Sequence, residues 1–104
     1  MIDETDESAV YTPVWILSGL TGRDPAALEF ADGRVILSTG DVEVFNAALS
    51  DIREVTFPWY YFGGGVKFRV GAQEYKISFT EPGEYGSIAD ARAAGKLWRA
   101  IFSA

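Results

Sequence analysis

Apolar and polar residues alternate along much of this chain, which is the pattern of β-strands with one buried face. The alternation is clearest in residues 66–70 and 75–79, which flank Gly71-Ala72. A two-residue turn with glycine first favours a type II′ hairpin. Such a hairpin has two core pairs and one outer pair of opposite charge: Phe68 with Tyr75, Val66 with Ile77, and Arg69 with Glu74.

A second hairpin is predicted at Asp32-Gly33, because a type I′ turn requires positive φ at both central residues. This turn brings four apolar side chains onto one face as two pairs: Phe30 with Val35, and Leu28 with Leu37. A further turn at Gly40-Asp41 leads into a strand at 42–46 and places Val44 opposite Leu37 on that same face.

The remaining strands are bounded by turn-forming residues. An apolar strand at 14–17 ends before Gly19, and the next strand, 26–31, follows Pro25. Ser50-Asp51 is a turn-former before a strand that runs to about Phe57, where Pro58 ends the ladder because proline has no N–H. The pattern therefore predicts seven short strands, all antiparallel neighbours.

A helix is predicted at the C-terminal end of the chain. Ser87 and Asp90 form an S-x-x-D start signal. The apolar residues that follow share one helical stripe: Ile88, Ala91, Gly95, Trp98, Ile101 and Phe102. Gly95 lies within the stripe and lets the helix approach a sheet closely. Trp98 has the largest side chain of the stripe, so we expect it to plug one open end of the curled sheet.

The predicted fold class is mainly β, a partly open barrel of about seven antiparallel strands capped by one C-terminal helix. The order of elements resembles the pleckstrin-homology-like (PH-like) superfamily, in its GRAM and bacterial PH variety. The resemblance covers about residues 26–102 and is carried by the stretches 33–37 and 48–52 and by the terminal helix with its tryptophan. The alternative is another small β-barrel, or a curled antiparallel sheet with a helix on it.

Length and charge indicate one domain, 10–104, behind an acidic flexible tail, 1–9. The chain has 104 residues and a net charge of −6, and four acidic residues without a base lie in the tail. An acidic chain binds nucleic acid poorly, so we expect no nucleic-acid partner. The acidic start does not fit a secretory signal, and the apolar runs are shorter than the ~20 residues that span a bilayer. The absence of cysteine fits a reducing compartment, so we expect the cytoplasm.

The composition removes most catalytic chemistry. The chain has no histidine and no cysteine, which excludes imidazole bases, thiol nucleophiles and most zinc sites. Glu81, Glu84 and Asp90 cluster in sequence, but carboxylates are expected at a helix start in any case. We therefore expect no enzyme activity, no catalytic residues, no metal and no cofactor.

The resemblance to PH-like domains implies phosphoinositide binding through several basic residues in the first hairpin. Here that hairpin has only Arg34, beside Asp32, so we expect neither headgroup binding nor a membrane partner. A secondary basic patch is predicted on one side of the helix, formed by Arg92, Lys96 and Arg99. Its alternative is a solvated flank whose side-chain stems cover apolar surface.

The most unusual segment is 57–62, in which five of six residues are aromatic. Its candidate binding residues are Trp59, Tyr60, Tyr61 and Phe62. Because tryptophan and tyrosine dominate binding hot spots, we expect a non-catalytic interaction module that binds a protein partner or its own copy. The rings could instead close the barrel rim. The alternative function is a small-molecule or lipid-binding barrel whose cavity is lined by Trp15, Trp59 and Tyr75.

Overall fold

The computed structural model describes residues 9–19, 22–58, 64–80 and 88–103. They contain seven strands and one α-helix, as predicted. The strands are β1 Val10–Ser18, β2 Gly22–Ala31, β3 Arg34–Thr39, β4 Val42–Ala48, β5 Ile52–Thr56, β6 Gly65–Val70 and β7 Gln73–Ser78. A short 3₁₀ helix, Leu49–Asp51, joins β4 to β5, and helix α1, Ile88–Phe102, follows the sheet.

The seven strands form one antiparallel sheet in the order β4-β3-β2-β1-β7-β6-β5. Strands that are consecutive in sequence pair with each other, except β4 and β5, which are the two edges of the sheet. Strand β1 also pairs with β7, at Trp15–Ser78 and Ile16–Ile77. Strand β1 therefore joins two meanders, β1–β4 and β5–β7. The predicted fold class, mainly β with one C-terminal helix, is confirmed.

Both predicted hairpin registers are confirmed. Across the first turn, Phe30 pairs with Val35 and Leu28 with Leu37, and Asp32 and Gly33 have φ of 55° and 74°, as a type I′ turn requires. In the second hairpin, Gly71 has φ of 61°, and the three predicted pairs form: Phe68 with Tyr75, Val66 with Ile77, and Arg69 with Glu74.

The register of β4 differs from the prediction. Leu37 pairs with Phe45 and Ser38 with Glu43, so Val44 is an extra residue that forms a β-bulge. The bulge reverses the side-chain alternation: Val44 is 37% exposed, whereas the Phe45 ring lies 5.9 Å from that of Phe68. The prediction that Val44 faces Leu37 is therefore wrong, because one inserted residue moves every later side chain to the other face.

Strand β5 also carries a bulge. Between Arg53 and Thr56 it has one residue more than β6 opposite, and Glu54 adopts φ of 53°. Val55 and Phe57 nevertheless pack against the core. Arg69 directs its guanidinium towards the bulge, with Nε 4.0 Å from Glu54 Oε2, rather than forming the expected ion pair with its cross-strand partner Glu74.

Strands β1 and β2 are longer than predicted, and each contains a proline. Pro13 pairs with Ala27, and Pro25 pairs with Trp15. Strand β3 pairs with β2 only from Ala27 onward, and β7 pairs with β1 only at residues 15 and 16. Each proline thus lies where its strand has a single paired neighbour, which is where a missing N–H is tolerated.

The core lies between one face of the sheet and helix α1. Its fully buried side chains come from the sheet and the helix alike: Val14, Leu28, Val35, Leu37, Val66, Phe68, Ile77 and Trp98. The helix stripe is confirmed, with Ala91, Gly95 and Trp98 buried. Trp98 donates a hydrogen bond from Nε1 to Thr12 Oγ1 at 2.9 Å, so its one polar atom is paired. The Ser87 start signal lies outside the described residues.

Candidate functional site

The predicted aromatic segment is described only at its start. Phe57 is half-buried and Pro58 is buried. The other four residues, Trp59, Tyr60, Tyr61 and Phe62, lie outside the described residues. The Phe57 ring is 6.4 Å from that of Phe102, so the last residues of the β5 side pack against the end of α1. The described start of the segment therefore lies beside the helix.

The predicted basic patch meets this segment at one point. Arg92, Lys96 and Arg99 are all exposed on α1. The guanidinium carbon of Arg99 lies 4.4 Å above the centre of the Phe57 ring, which is the geometry of a cation–π contact. The structure thus joins the two candidate sites through Arg99 and Phe57. This contact also matches the alternative for the patch, since one of its members covers apolar surface.

A third surface, which the sequence analysis did not predict, lies on the side of β1 that faces away from the core. Val14 is buried and Ile16 packs against the core, so the alternation of a strand directs Trp15 to the opposite side. Tyr11 and Pro13 share that side, and Tyr11 is 68% exposed. We call this surface the outer face; its apolar residues are Tyr11, Pro13, Trp15, Pro25, Ala27 and Ile36, and Glu29 lies between Tyr11 and Ile36.

The outer face has a shallow hollow of about 360 Å³, bordered by Tyr11, Pro25, Ala27 and Ser38. The signal for this surface was present in the sequence. A strand with apolar residues at successive positions, such as 14–17, needs cover on both of its faces. The hairpin pairings place apolar residues of β2 and β3 next to those of β1, which the spacing along one strand does not reveal.

The residues named for an internal ligand cavity occupy other places. Trp15 belongs to the outer face. Tyr75 lies inside, but its ring packs 5.1 Å from Phe45 and 5.9 Å from Phe68. Trp59 is outside the described residues. The two residues of this set that the structure describes therefore do not border a common interior space.

Both edges of the sheet are unsuited to pairing with another strand. The bulge at Val44 lies on β4, and the bulge at Glu54 lies on β5. Bulges twist an edge strand and interrupt its row of free N–H and C=O groups, a common way to prevent edge-to-edge association. The faces of the sheet are thus better suited to association than its edges.

Among residues 9–19, 22–58, 64–80 and 88–103, no group of three or more acidic side chains is placed to hold a metal ion. The helix in this part of the chain is not long and apolar enough to cross a membrane. No family model matches the chain, and no curated protein or solved structure does.

Proposed function

We propose that this chain is a non-catalytic interaction module of PH-like architecture that associates with a protein partner, in the first instance a second copy of itself. The observation that carries the proposal is the outer face, where Tyr11, Pro13 and Trp15 form an apolar row on a strand whose other side is core. Exposed apolar patches of this kind mark interaction surfaces.

Two features support the PH-like part of the proposal. The sheet consists of two meanders that share β1, with free edges at β4 and β5. Helix α1 then follows the sheet, and its Trp98 is completely buried. A terminal helix with a buried tryptophan is one of the features on which the resemblance in residues 26–102 depends.

The size of the outer face argues for a weak, reversible association. Three strands of this length cover roughly 30 Å by 14 Å, about 400 Å². A stable interface needs about 800 Å² from each partner. We propose that the aromatic segment, with Trp59 and Tyr60, forms a second contact in the dimer, separate from the outer face. Because the two bulged edges oppose strand pairing, the contact is between faces rather than between edges.

Sedimentation equilibrium of the full chain over a wide range of concentrations tests the proposal. We expect a monomer–dimer equilibrium that shifts to the monomer on dilution. Tyr11→Ser should weaken the dimer at least tenfold, because Tyr11 is a large side chain of the outer face that is 68% exposed. Val42→Ser is the matched control: Val42 is 64% exposed, close to the 68% of Tyr11, but it lies on the edge strand β4.

Both variants should keep the unfolding midpoint of the wild type, since both side chains are exposed. The proposal of self-association is contradicted if the wild type is a monomer at every concentration. The assignment to the outer face is contradicted if Val42→Ser weakens the dimer as much as Tyr11→Ser does.

A further inference from the structure

A polar cleft lies at the sheet edges, beside the outer face: Asn46, which borders the cleft, pairs with Ile36 of the outer face. It has a volume of about 480 Å³ and is bordered by Arg34, Asn46, Ala47, Asp51, Arg53 and Val70. Its residues come from β3, β4, the 3₁₀ helix, β5 and β6, so the cleft forms where the two edges of the sheet approach each other. The 3₁₀ helix is fixed there by a hydrogen bond from the Leu49 N–H to the Gly33 carbonyl at 2.9 Å.

Arg34 is held in a defined orientation at one side of the cleft. Its Nε donates to Asn46 Oδ1 at 2.6 Å, and its Nη2 donates to the Asn46 carbonyl oxygen at 3.1 Å. A guanidinium has five N–H donors, so three remain for a ligand. Because the side chain is already ordered by Asn46, a ligand that binds it does not have to order a flexible arginine.

Arg53, at the other side, has an unbalanced charge. In the sheet it is directly opposite Arg69, and like charges in that position repel. Arg69 has its own partners: its Nε is 4.0 Å from the Glu54 carboxylate, and its Nη2 donates to the Ala72 carbonyl oxygen at 3.1 Å. In the described chain neither Arg53 nor Arg34 lies within 4.0 Å of a carboxylate oxygen. An anion bound between Arg34 and Arg53 would offset the repulsion between Arg53 and Arg69.

The charge and lining of the cleft indicate which anion. Arg34 and Arg53 carry two positive charges and Asp51 one negative charge, so a single negative charge balances the site. Ala47 and Val70 add apolar surface next to the arginines. A carboxylate accepts two parallel N–H bonds from a guanidinium, and a hydrocarbon chain attached to it would lie on the apolar surface.

We propose that this cleft binds the carboxylate of a small organic acid, with Arg34 and Arg53 as its ligands and the hydrocarbon part against Ala47 and Val70. A phosphate dianion would bring one negative charge too many beside Asp51. This site goes beyond the proposed association and does not depend on it, because its ligands, Arg34 and Arg53, are not among the apolar residues of the outer face.

Titration of the ¹⁵N-labelled full chain with hexanoate, followed by amide NMR shifts, tests the site. We expect saturable shifts concentrated at Arg34, Asn46, Arg53 and Gly71. Hexanamide, which lacks the charge, should give no saturable shifts, and inorganic phosphate should bind at least fivefold more weakly. Sodium chloride at equal ionic strength is the baseline for general salt effects.

Variants separate the cleft from general surface charge. Arg53→Ala should weaken hexanoate binding at least tenfold, and Asn46→Ala at least threefold because it releases Arg34. Lys76→Ala removes an exposed positive charge from β7, outside the cleft, and should leave binding unchanged. If Arg53→Ala alters the melting curve, Arg53→Gln replaces it, since the longer polar side chain keeps the packing of the stem.

The proposal is overturned if the hexanoate shifts do not saturate and equal those of sodium chloride. It is also overturned if Arg53→Ala and Arg53→Gln bind hexanoate as tightly as the wild type. Phosphate binding as tight as hexanoate would overturn the assignment to a carboxylate ligand.

Discussion

The indole of Trp98 connects the helix to the sheet through one buried hydrogen bond. Thr12→Val keeps the shape of the side chain but removes the acceptor for Nε1, which lies 2.9 Å from Oγ1 in the wild type. A buried donor without a partner costs about 1–3 kcal/mol, so we expect Thr12→Val to lower the free energy of unfolding by about 1–2 kcal/mol. Urea denaturation measures this change.

Trp98→Phe provides the control for this hydrogen bond. It removes the donor, so Thr12→Val in that background should have almost no further effect on stability. An equal cost of Thr12→Val in both backgrounds would show that Thr12 stabilises the fold by packing alone.

The bulge in β4 makes neighbouring residues differ sharply in their energetic importance. Phe45 packs against Phe68 and Tyr75, whereas Val44 is 37% exposed. We predict that Phe45→Ala destabilises the protein by about 2–3 kcal/mol and Val44→Ala by less than about 0.5 kcal/mol. Chemical denaturation of the two variants would measure both changes in the free energy of unfolding. If Val44→Ala lowered the free energy of unfolding more than Phe45→Ala did, the result would contradict the bulge and support the predicted pairing of Val44 with Leu37.

At the scale of elements, the helix provides a large part of the core. Trp98 is fully buried, and Ile101 and Phe102 pack against the core. Their burial contributes roughly 5 kcal/mol, comparable to the whole stability of a small domain. We predict that a chain ending at Gly86 is unfolded or aggregated in thermal scans followed by circular dichroism.

The matched control for this truncation removes only Ser103 and Ala104. Ser103 is exposed, and its loss removes its hydroxyl bond to the Arg99 carbonyl oxygen at the helix end. We expect this shorter deletion to melt cooperatively, close to the wild type. A cooperative transition in the chain that ends at Gly86 would mean that the sheet folds without the helix.

The hairpins could be predicted from sequence because their turns fix the register. A two-residue turn at Asp32-Gly33 or at Gly71-Ala72 is compatible with only one strand pairing that places the apolar residues on one face. Both pairings are observed. The bulge at Val44 could not be predicted in this way. Val42 and Val44 have the spacing of an inward-facing pair, and only the fit of Phe45 against Phe68 and Tyr75 selects the other face.

At the scale of the whole molecule, we expect the acidic segment before β1 to be dispensable for folding. Residues 2–8 carry four negative charges and only Ile2 as a large apolar side chain. We predict that deleting residues 2–8 changes the melting temperature by less than about 4 °C, which corresponds to less than about 1 kcal/mol. A larger decrease, measured by scanning calorimetry, would show that this segment docks on the domain.

The candidate surfaces differ in how far sequence could reveal them. The aromatic segment and the basic patch are local in sequence, so spacing alone identified Phe57 and Arg99, although not their contact. The outer face combines Tyr11 with Pro25 and Ile36 from two other strands, and the cleft combines Arg34 with Arg53. Such surfaces depend on the pairing of distant strands and become visible only when that pairing is known.

The mass of the full chain in solution decides whether the chain is an interaction module. Light scattering on a sizing column would compare the wild type with the double variant Trp59→Ser, Tyr60→Ser at several concentrations. We predict that the wild type associates at high concentration, and that the double variant stays monomeric with a nearly unchanged melting temperature. Global unfolding of the double variant without any change in association would contradict the claim and assign the segment to the core.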